Sequence, residues 1–329
     1  MDFPEGPNIR APRGVNIPLG PFLLRPVIAV VMPKKGKEED SMKKARERKK
    51  LGVYLATLCI LLFVAVSPAW PQQVQKITSN RVKALLKAGK PAIGAAMILP
   101  SPPAAEILAQ AGFDWLMIDL EHTALNLETV HRMIQATQGT ETVPIVRIAW
   151  NLHWLAKPVL DMGVMGVIMP QVSSKQEAVD AVQALRYPPE GVRGMGPGFA
   201  ALRWGLSIPE YLKIANNEIM AILLIEHIEA VNRIDEILTV PGIDLIFVGP
   251  GDLSASMGLL GQATHTRVEE AIQKVLAATK KAKVPAGITA FTPDDANRRI
   301  QQGFQFIFVG SDTGFLTAGA KGILGQIKK

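Results

Sequence analysis

Ile246-Phe247-Val248-Gly249-Pro250-Gly251-Asp252-Leu253-Ser254 is an apolar run, led in by Leu245, that stops at a Gly-Pro-Gly turn and delivers one carboxylate. The run is too short for a helix and uniformly apolar, as a strand buried on both faces would be. Ile222-Leu223-Leu224-Ile225-Glu226 repeats the device upstream. A carboxylate at the end of a buried strand is costly unless something positive lies near it. Two such acids, Glu226 and Asp252, suggest a divalent cation held by oxygen.

Working outward, the same unit recurs. Apolar strands are expected at 92–99, 115–120, 143–148, 165–170, 219–226, 244–249, 285–290 and 305–310. Helical patterns are expected at 82–87, 104–111, 127–137, 154–162, 174–185, 231–238, 267–281, 294–302 and from Phe315 onward. Ser174 followed by Glu177 forms a candidate helix cap. Eight strands, each followed by helix, are the signature of an α/β (β/α)8 barrel. A doubly wound open sheet is the alternative. The segment 186–211, with Gly191, Gly194, Gly196 and Gly198, is longer than an ordinary connection and reads as a lid or subunit contact.

The 329 residues are 48% apolar and 20% charged, a balance for a globular protein with a sizeable core. The formal charge of +7 is unevenly placed: residues 1–75 carry 12 Lys+Arg against 6 Asp+Glu, and residues 76–329 carry 24 against 23. The basicity therefore belongs to the leader, and nothing points to nucleic acid as a partner. Cys59, the only cysteine, excludes a disulfide framework and a cysteine zinc site.

Three segments are expected. Residues 1–41 read as an unstructured leader or as lying upstream of the true start at Met42. Residues 42–75 read as a signal peptide: the basic run from Lys43 to Lys50, an apolar run from Leu51 to Val66, and the small-residue exit Ser67-Pro68-Ala69. An uncleaved membrane anchor or a cytoplasmic location is the alternative. Residues 76–329 are the barrel.

In this architecture the site lies at the C-terminal ends of the strands. The second strand ends in Asp119-Leu120-Glu121-His122, the third in Arg147, the fifth in Glu226 and the sixth in Asp252. Glu226 and Asp252 are the candidate ligands for Mg2+ or Mn2+, with Co2+ a further option. His122 is a candidate general base, because its ordinary pKa is close to neutrality. Asp119 is the candidate group that orients its ring. Arg147 can clamp a carboxylate or enolate. Asp161, on the following helix, is a supporting candidate. No strand ends in lysine, so imine chemistry is not expected. The same residues allow bland readings, as barrel-mouth carboxylates paired to Arg147 and a structural histidine.

These residues resemble the HpcH/HpaI family of metal-dependent, pyruvate-using aldolases. The resemblance spans about Gly94 to Thr313. It rests on Ala111-Gly112-Phe113-Asp114-Trp115 with Ile118-Asp119-Leu120-Glu121-His122, on Pro144-Ile145-Val146-Arg147, on Arg186-Tyr187-Pro188-Pro189 with Gly191-Val192-Arg193-Gly194, and on Val248 to Ser254. It implies a class II aldolase that reversibly cleaves 4-hydroxy-2-oxo acids between C3 and C4 to pyruvate and an aldehyde. Glu226 and Asp252 would hold the metal, His122 with Asp119 would form the base dyad, and Arg147 would hold pyruvate. The N–H groups of Gly251 and Asp252 would bind its carboxylate, and Asp161 would lie near a neighbouring subunit's site. It further implies an exchanged last helix and a homo-oligomer, commonly a hexamer. Leu224 stands where the family often has Gln, His227 where it has Thr, and the segment Gly198–Trp204 differs from the usual lid. A citrate-lyase-like malyl- or citramalyl-CoA lyase is the nearest rival. An exported, non-catalytic oxo-acid-binding protein is the rival from another class.

Overall fold

The computed structural model describes residues 35–66 and 76–328. The expectations for residues 1–34 and for the exit at 67–69 lie outside them. The chain divides into two units, Met1–Gln72 and Gln73–Lys329. In the first, one helix, Lys35–Val66, carries both the basic run and the apolar run. Among the described residues no helix is long and apolar enough to cross a membrane.

The second unit is the barrel. Its strands are β1 Ala92–Met97, β2 Trp115–Asp119, β3 Val143–Arg147, β4 Gly166–Met169, β5 Met220–Ile225, β6 Leu245–Val248, β7 Ala286–Thr289 and β8 Phe306–Ser311. Each pairs in parallel with the next, and β8 closes on β1. Every residue of β2, β5 and β6 is buried. That is why the strands are continuous apolar runs: helices cover one face and the barrel interior the other.

The helices follow from local signals. Asn80, Ser101, Asn126, Ser174 and Thr292 each cap a helix with the side-chain oxygen. The cap at Ser174 forms as expected, but the Glu177 carboxylate turns to the N–H of Ser173, 2.7 Å away. Three elements differ from expectation. The stretch 231–238 is two short helices, Ile228–Asn232 and Ile234–Ile237, separated at Arg233. The Gly-Pro-Gly turn opens a helix, Pro250–Ser256, with Pro250 at its first position. The long connection 186–211 is largely structured, with helices Gly198–Arg203 and Ile208–Glu218. Ser207 and Glu210 form a complete capping box at the start of the latter, a readable signal.

That connection is not a free lid. The Arg193 side chain is fully buried, bonded to Asp161 and to the Tyr211 hydroxyl at 3.1 Å each, and stacked over the Tyr187 ring. Gly191 and Gly196 let the backbone come down on the barrel wall. A Cβ at Gly191 would meet the Gln183 carbonyl oxygen at 2.3 Å, and one at Gly196 would meet Asp161 Oδ2 at 2.4 Å.

One contact fixes the barrel where β8 meets β1. Trp115 is fully buried, lies 3.8 Å from the Phe306 ring in a near-parallel stack, and donates Nε1–H to the Ala92 carbonyl. Gly94 makes room for this indole: a Cβ there would sit 2.0 Å from the ring. Gly94→Ala is therefore expected to cost about 3 kcal/mol or prevent folding, because the indole is held on its other face and cannot retreat. Urea unfolding followed by tryptophan fluorescence reads this, and an unchanged midpoint would contradict it.

Candidate functional site

The C-terminal rim is built from strand ends. Asp119 and Arg147 are the last residues of β2 and β3 and stand opposite each other in the parallel register. The register places their side chains side by side. Arg147 Nε and Nη2 donate to Asp119 Oδ1 and Oδ2 at 3.0 and 2.7 Å, a two-point ion pair. Asp119 therefore orients the guanidinium, not the His122 ring as expected from sequence.

His122 lies in the turn after β2, exposed, with Nε2 3.6 Å from Glu121 Oε2. Glu121 Oε2 is buried without a hydrogen-bond partner, although Arg147 Nη1 lies 3.1 Å away. Burial raises the Glu121 pKa, with Asp119 and Asp252 adding to the rise, while Arg147 and His122 oppose it. For Arg147, burial opposes the charge, but the bonds and field of Asp119 and Glu121 outweigh it and raise the pKa.

Glu226 follows β5 directly and is buried. Its Oε1 accepts two bonds from one residue, the backbone N–H and the side-chain amide of Gln171, at 2.9 and 3.1 Å. Gln171 makes both because its backbone is left-handed, with φ of 56°. Oε2 carries no hydrogen bond among the described residues. Burial pushes the Glu226 pKa up to about 7, and Glu121 and Asp252 add to the rise. The next residue, His227, caps the helix Ile228–Asn232, its Nδ1 accepting from the Glu229 N–H at 3.2 Å. This is the work a threonine would do there.

Asp252 sits in the first turn of Pro250–Ser256 and is exposed. A carboxylate there is favoured by the helix end, so the cost anticipated from sequence does not arise. Gly251 and Asp252 are first-turn residues, whose N–H groups have no partner within the helix. Asp161 lies elsewhere. It ends the helix His153–Asp161, toward the opposite end of the barrel, and pairs with Arg193. Within one chain it does not join the site.

His122, Arg147, Glu226, Gly251 and Asp252 line one cavity of about 270 Å3, with Met117, Leu224, Phe247, Thr289, Phe291 and Phe308 among its other walls. No lysine lines it. Two contributors, Glu121 and Gln171, lie outside the set expected from the sequence. Glu121 was visible at the strand end but had no assigned role. Gln171, just after β4, is marked in the sequence only as a polar residue at a strand end.

A divalent cation fits this donor set. Four carboxylates, Asp119, Glu121, Glu226 and Asp252, gather near one guanidinium that pairs with Asp119 and Glu121, and burial drives Glu226 toward its neutral form, with Glu121 and Asp252 adding to the rise. Among the described residues no group of three or more His, Cys, Asp or Glu could hold an ion alone. Glu226 and Asp252 are the residues that could supply hard oxygens to a divalent cation and leave positions open to substrate.

The comparisons identify the family of the chain. Residues 97–318 match the family model described as HpcH/HpaI aldolase/citrate lyase. The chain is 42% identical over 245 residues to a 4-hydroxy-2-oxo-heptane-1,7-dioate aldolase of Shigella sonnei, covering 74% of this chain and 93% of that one. A crystal structure of an HpcH/HpaI aldolase/citrate lyase family protein from Burkholderia cenocepacia matches with a TM-score of 0.71 at 33% identity, covering 76% of this chain and all of that one. A citrate synthase structure matches with a TM-score of 0.68 at 30% identity, covering 74% and 95%. The chain belongs to the HpcH/HpaI aldolase/citrate lyase family and is a carbon–carbon lyase.

The burial of Glu226 predicts a pH-dependent cost in the metal-free protein. A carboxylate whose folded pKa is raised to about 7, against 4.5 when exposed, is favourable below the lower value. That advantage is lost as the pH rises through the higher one. In chelator, Glu226→Gln should therefore be more stable than the parent at pH 8 by up to roughly 3 kcal/mol, and by under about 1 kcal/mol at pH 5. Thermal unfolding at the two pH values measures the difference, and a variant less stable at pH 8 would contradict it.

Proposed function

We propose that the cavity binds the 2-oxo acid end of a 4-hydroxy-2-oxo acid and breaks its C3–C4 bond, releasing pyruvate and an aldehyde. The observation that carries this reading is the convergence of Arg147, Glu226, Asp252 and His122 on one cavity with an excess of acids. A bound Mg2+, Mn2+ or Co2+ on Glu226 and Asp252 would act as a Lewis acid toward the keto oxygen and the enolate that replaces it.

The chain's own residues do the rest. The N–H groups of Gly251 and Asp252 receive the carboxylate. Arg147, held flat by Asp119, donates toward the keto oxygen and stabilises the negative charge that grows there. His122 accepts the 4-hydroxyl proton through a ring nitrogen. The O–H electrons become the aldehyde C=O, and the C3–C4 pair passes into the enolate. C3 then takes a proton to give pyruvate. Glu121, between Arg147 and His122, supports the protonated ring.

Two further readings rest on separate observations. The helix Asp312–Leu324 exposes Phe315, Leu316, Ile323 and Leu324, which supports assembly of several copies through this helix, a hexamer by family resemblance. The order of basic run, apolar run and small-residue exit in residues 42–69 supports export, with cleavage near Ala69, over anchoring.

A screen of 4-hydroxy-2-oxo acids for pyruvate release tests the main reading. Activity is expected to vanish in chelator and to return with Mn2+ or Mg2+; activity indifferent to chelator would overturn the assignment. Arg147→Ala should lower kcat/KM by about 100-fold or more, since it removes a donor aimed at developing charge. Arg147→Lys should not restore it fully, because a lysine cannot reproduce the two-point bond to Asp119.

A further inference from the structure

The Glu226 carboxylate is held from outside the cavity by a single residue. Gln171 follows β4, and its backbone N–H and side-chain amide both donate to Glu226 Oε1, at 2.9 and 3.1 Å. Glu226 lines the cavity, whereas Gln171 does not. A carboxylate oxygen has two lone-pair directions, and these two donors occupy both on Oε1. Oε2 is the oxygen nearer the turn that carries Asp252: a Cβ built on Gly249 would lie 3.8 Å from it.

The backbone of Gln171 shows that this grip is more than a by-product of the turn. Its φ of 56° lies in the left-handed region, which glycine enters without a steric cost. A glycine there would keep the same N–H bond to Glu226 and relieve the backbone. Glutamine adds an amide, and among the described residues that amide donates only to Glu226. A strained residue whose side chain has one polar contact, to a candidate metal ligand, points to a role at that ligand.

We propose that Gln171 is a positioning residue that withholds Glu226 Oε1 from the cation, so that Glu226 offers one oxygen and the site takes a small octahedral ion in preference to Ca2+. This rests on the metal reading above and deepens it. Mg2+ and Mn2+ hold about six oxygens in near-octahedral geometry and are served by one oxygen from each carboxylate. Ca2+ takes roughly six to eight, and a carboxylate that gives both oxygens helps it reach that number. Withholding Oε1 therefore penalises the larger ion more than the smaller one.

The test uses the full chain, stripped of metal and without substrate. Mn2+ is titrated in, the unbound ion is read by electron paramagnetic resonance, and Ca2+ is added as competitor. The parent is expected to hold Mn2+ more tightly than Ca2+ by about tenfold or more. Gln171→Gly keeps the left-handed backbone and its N–H but removes the amide. Gln171→Met keeps the length of the side chain and also removes the amide. Each is expected to lower the preference for Mn2+ by about fivefold or more, the scale of one hydrogen bond to a charged group. Thermal unfolding in chelator checks that each variant folds. A parent that holds Ca2+ as tightly as Mn2+ overturns the inference, and so does a preference that either folded variant leaves unmoved. Glu226→Gln separates this inference from the reading beneath it. If that variant binds Mn2+ as well as the parent does, the ion lies elsewhere and both fall. If it loses Mn2+ while the Gln171 variants match the parent, the metal reading stands and the inference alone falls.

Discussion

Positive charge is scarce at the mouth of this barrel, and the site is arranged around that scarcity. Asp119, Glu121, Glu226 and Asp252 meet there with Arg147 as their only guanidinium among the described residues. Arg147 pairs with Asp119 and Glu121, and burial, with the fields of Glu121 and Asp252 added, pushes Glu226 toward protonation against the amide donors of Gln171 and the field of Arg147. Removing acids would relax the fold but would also remove the reason for a cation to enter. The strain is local and belongs to function: the same burial that penalises a bare carboxylate strengthens whatever charge finally neutralises it.

The frame that imposes this meeting is stiff. Parallel register sets Arg147 beside Asp119 before any side-chain preference acts. Closure of β8 on β1 completes the ring of strands, and the Trp115–Phe306 stack packs its N-terminal end. The structured connection around Arg193 adds a second brace against the helix that follows β3. Catalysis by preorganised charge needs such a frame, because charges that could move would re-solvate one another instead of the reacting oxygen.

Much of the fold was legible in the sequence because buried parallel strands are written as uninterrupted apolar runs, and all eight appear within two residues of their expected limits. The carboxylates and the arginine were legible because a charged residue directly after such a run has few places to go. What stayed hidden depended on facts a linear pattern does not hold. The partner of Asp119 is decided by strand register, which pairs residues 28 positions apart. The role of Gln171 depends on a left-handed backbone that no glycine announced. The helices Gly198–Arg203 and Ile208–Glu218 were obscured by glycines nearby, although the Ser207–Glu210 box was there to be read.

Gln171 and Glu226 also share a fate. Two donors from one residue converge on one carboxylate oxygen, so each position sets what the other can become. Shortening the acid to aspartate would strand the amide, and replacing Gln171 with a β-branched residue would clash with its left-handed backbone. Either change alone opens a defect that only a second change could close. The two sites should therefore drift together or not at all, a linked inheritance imposed by hydrogen-bond geometry and invisible from either position alone.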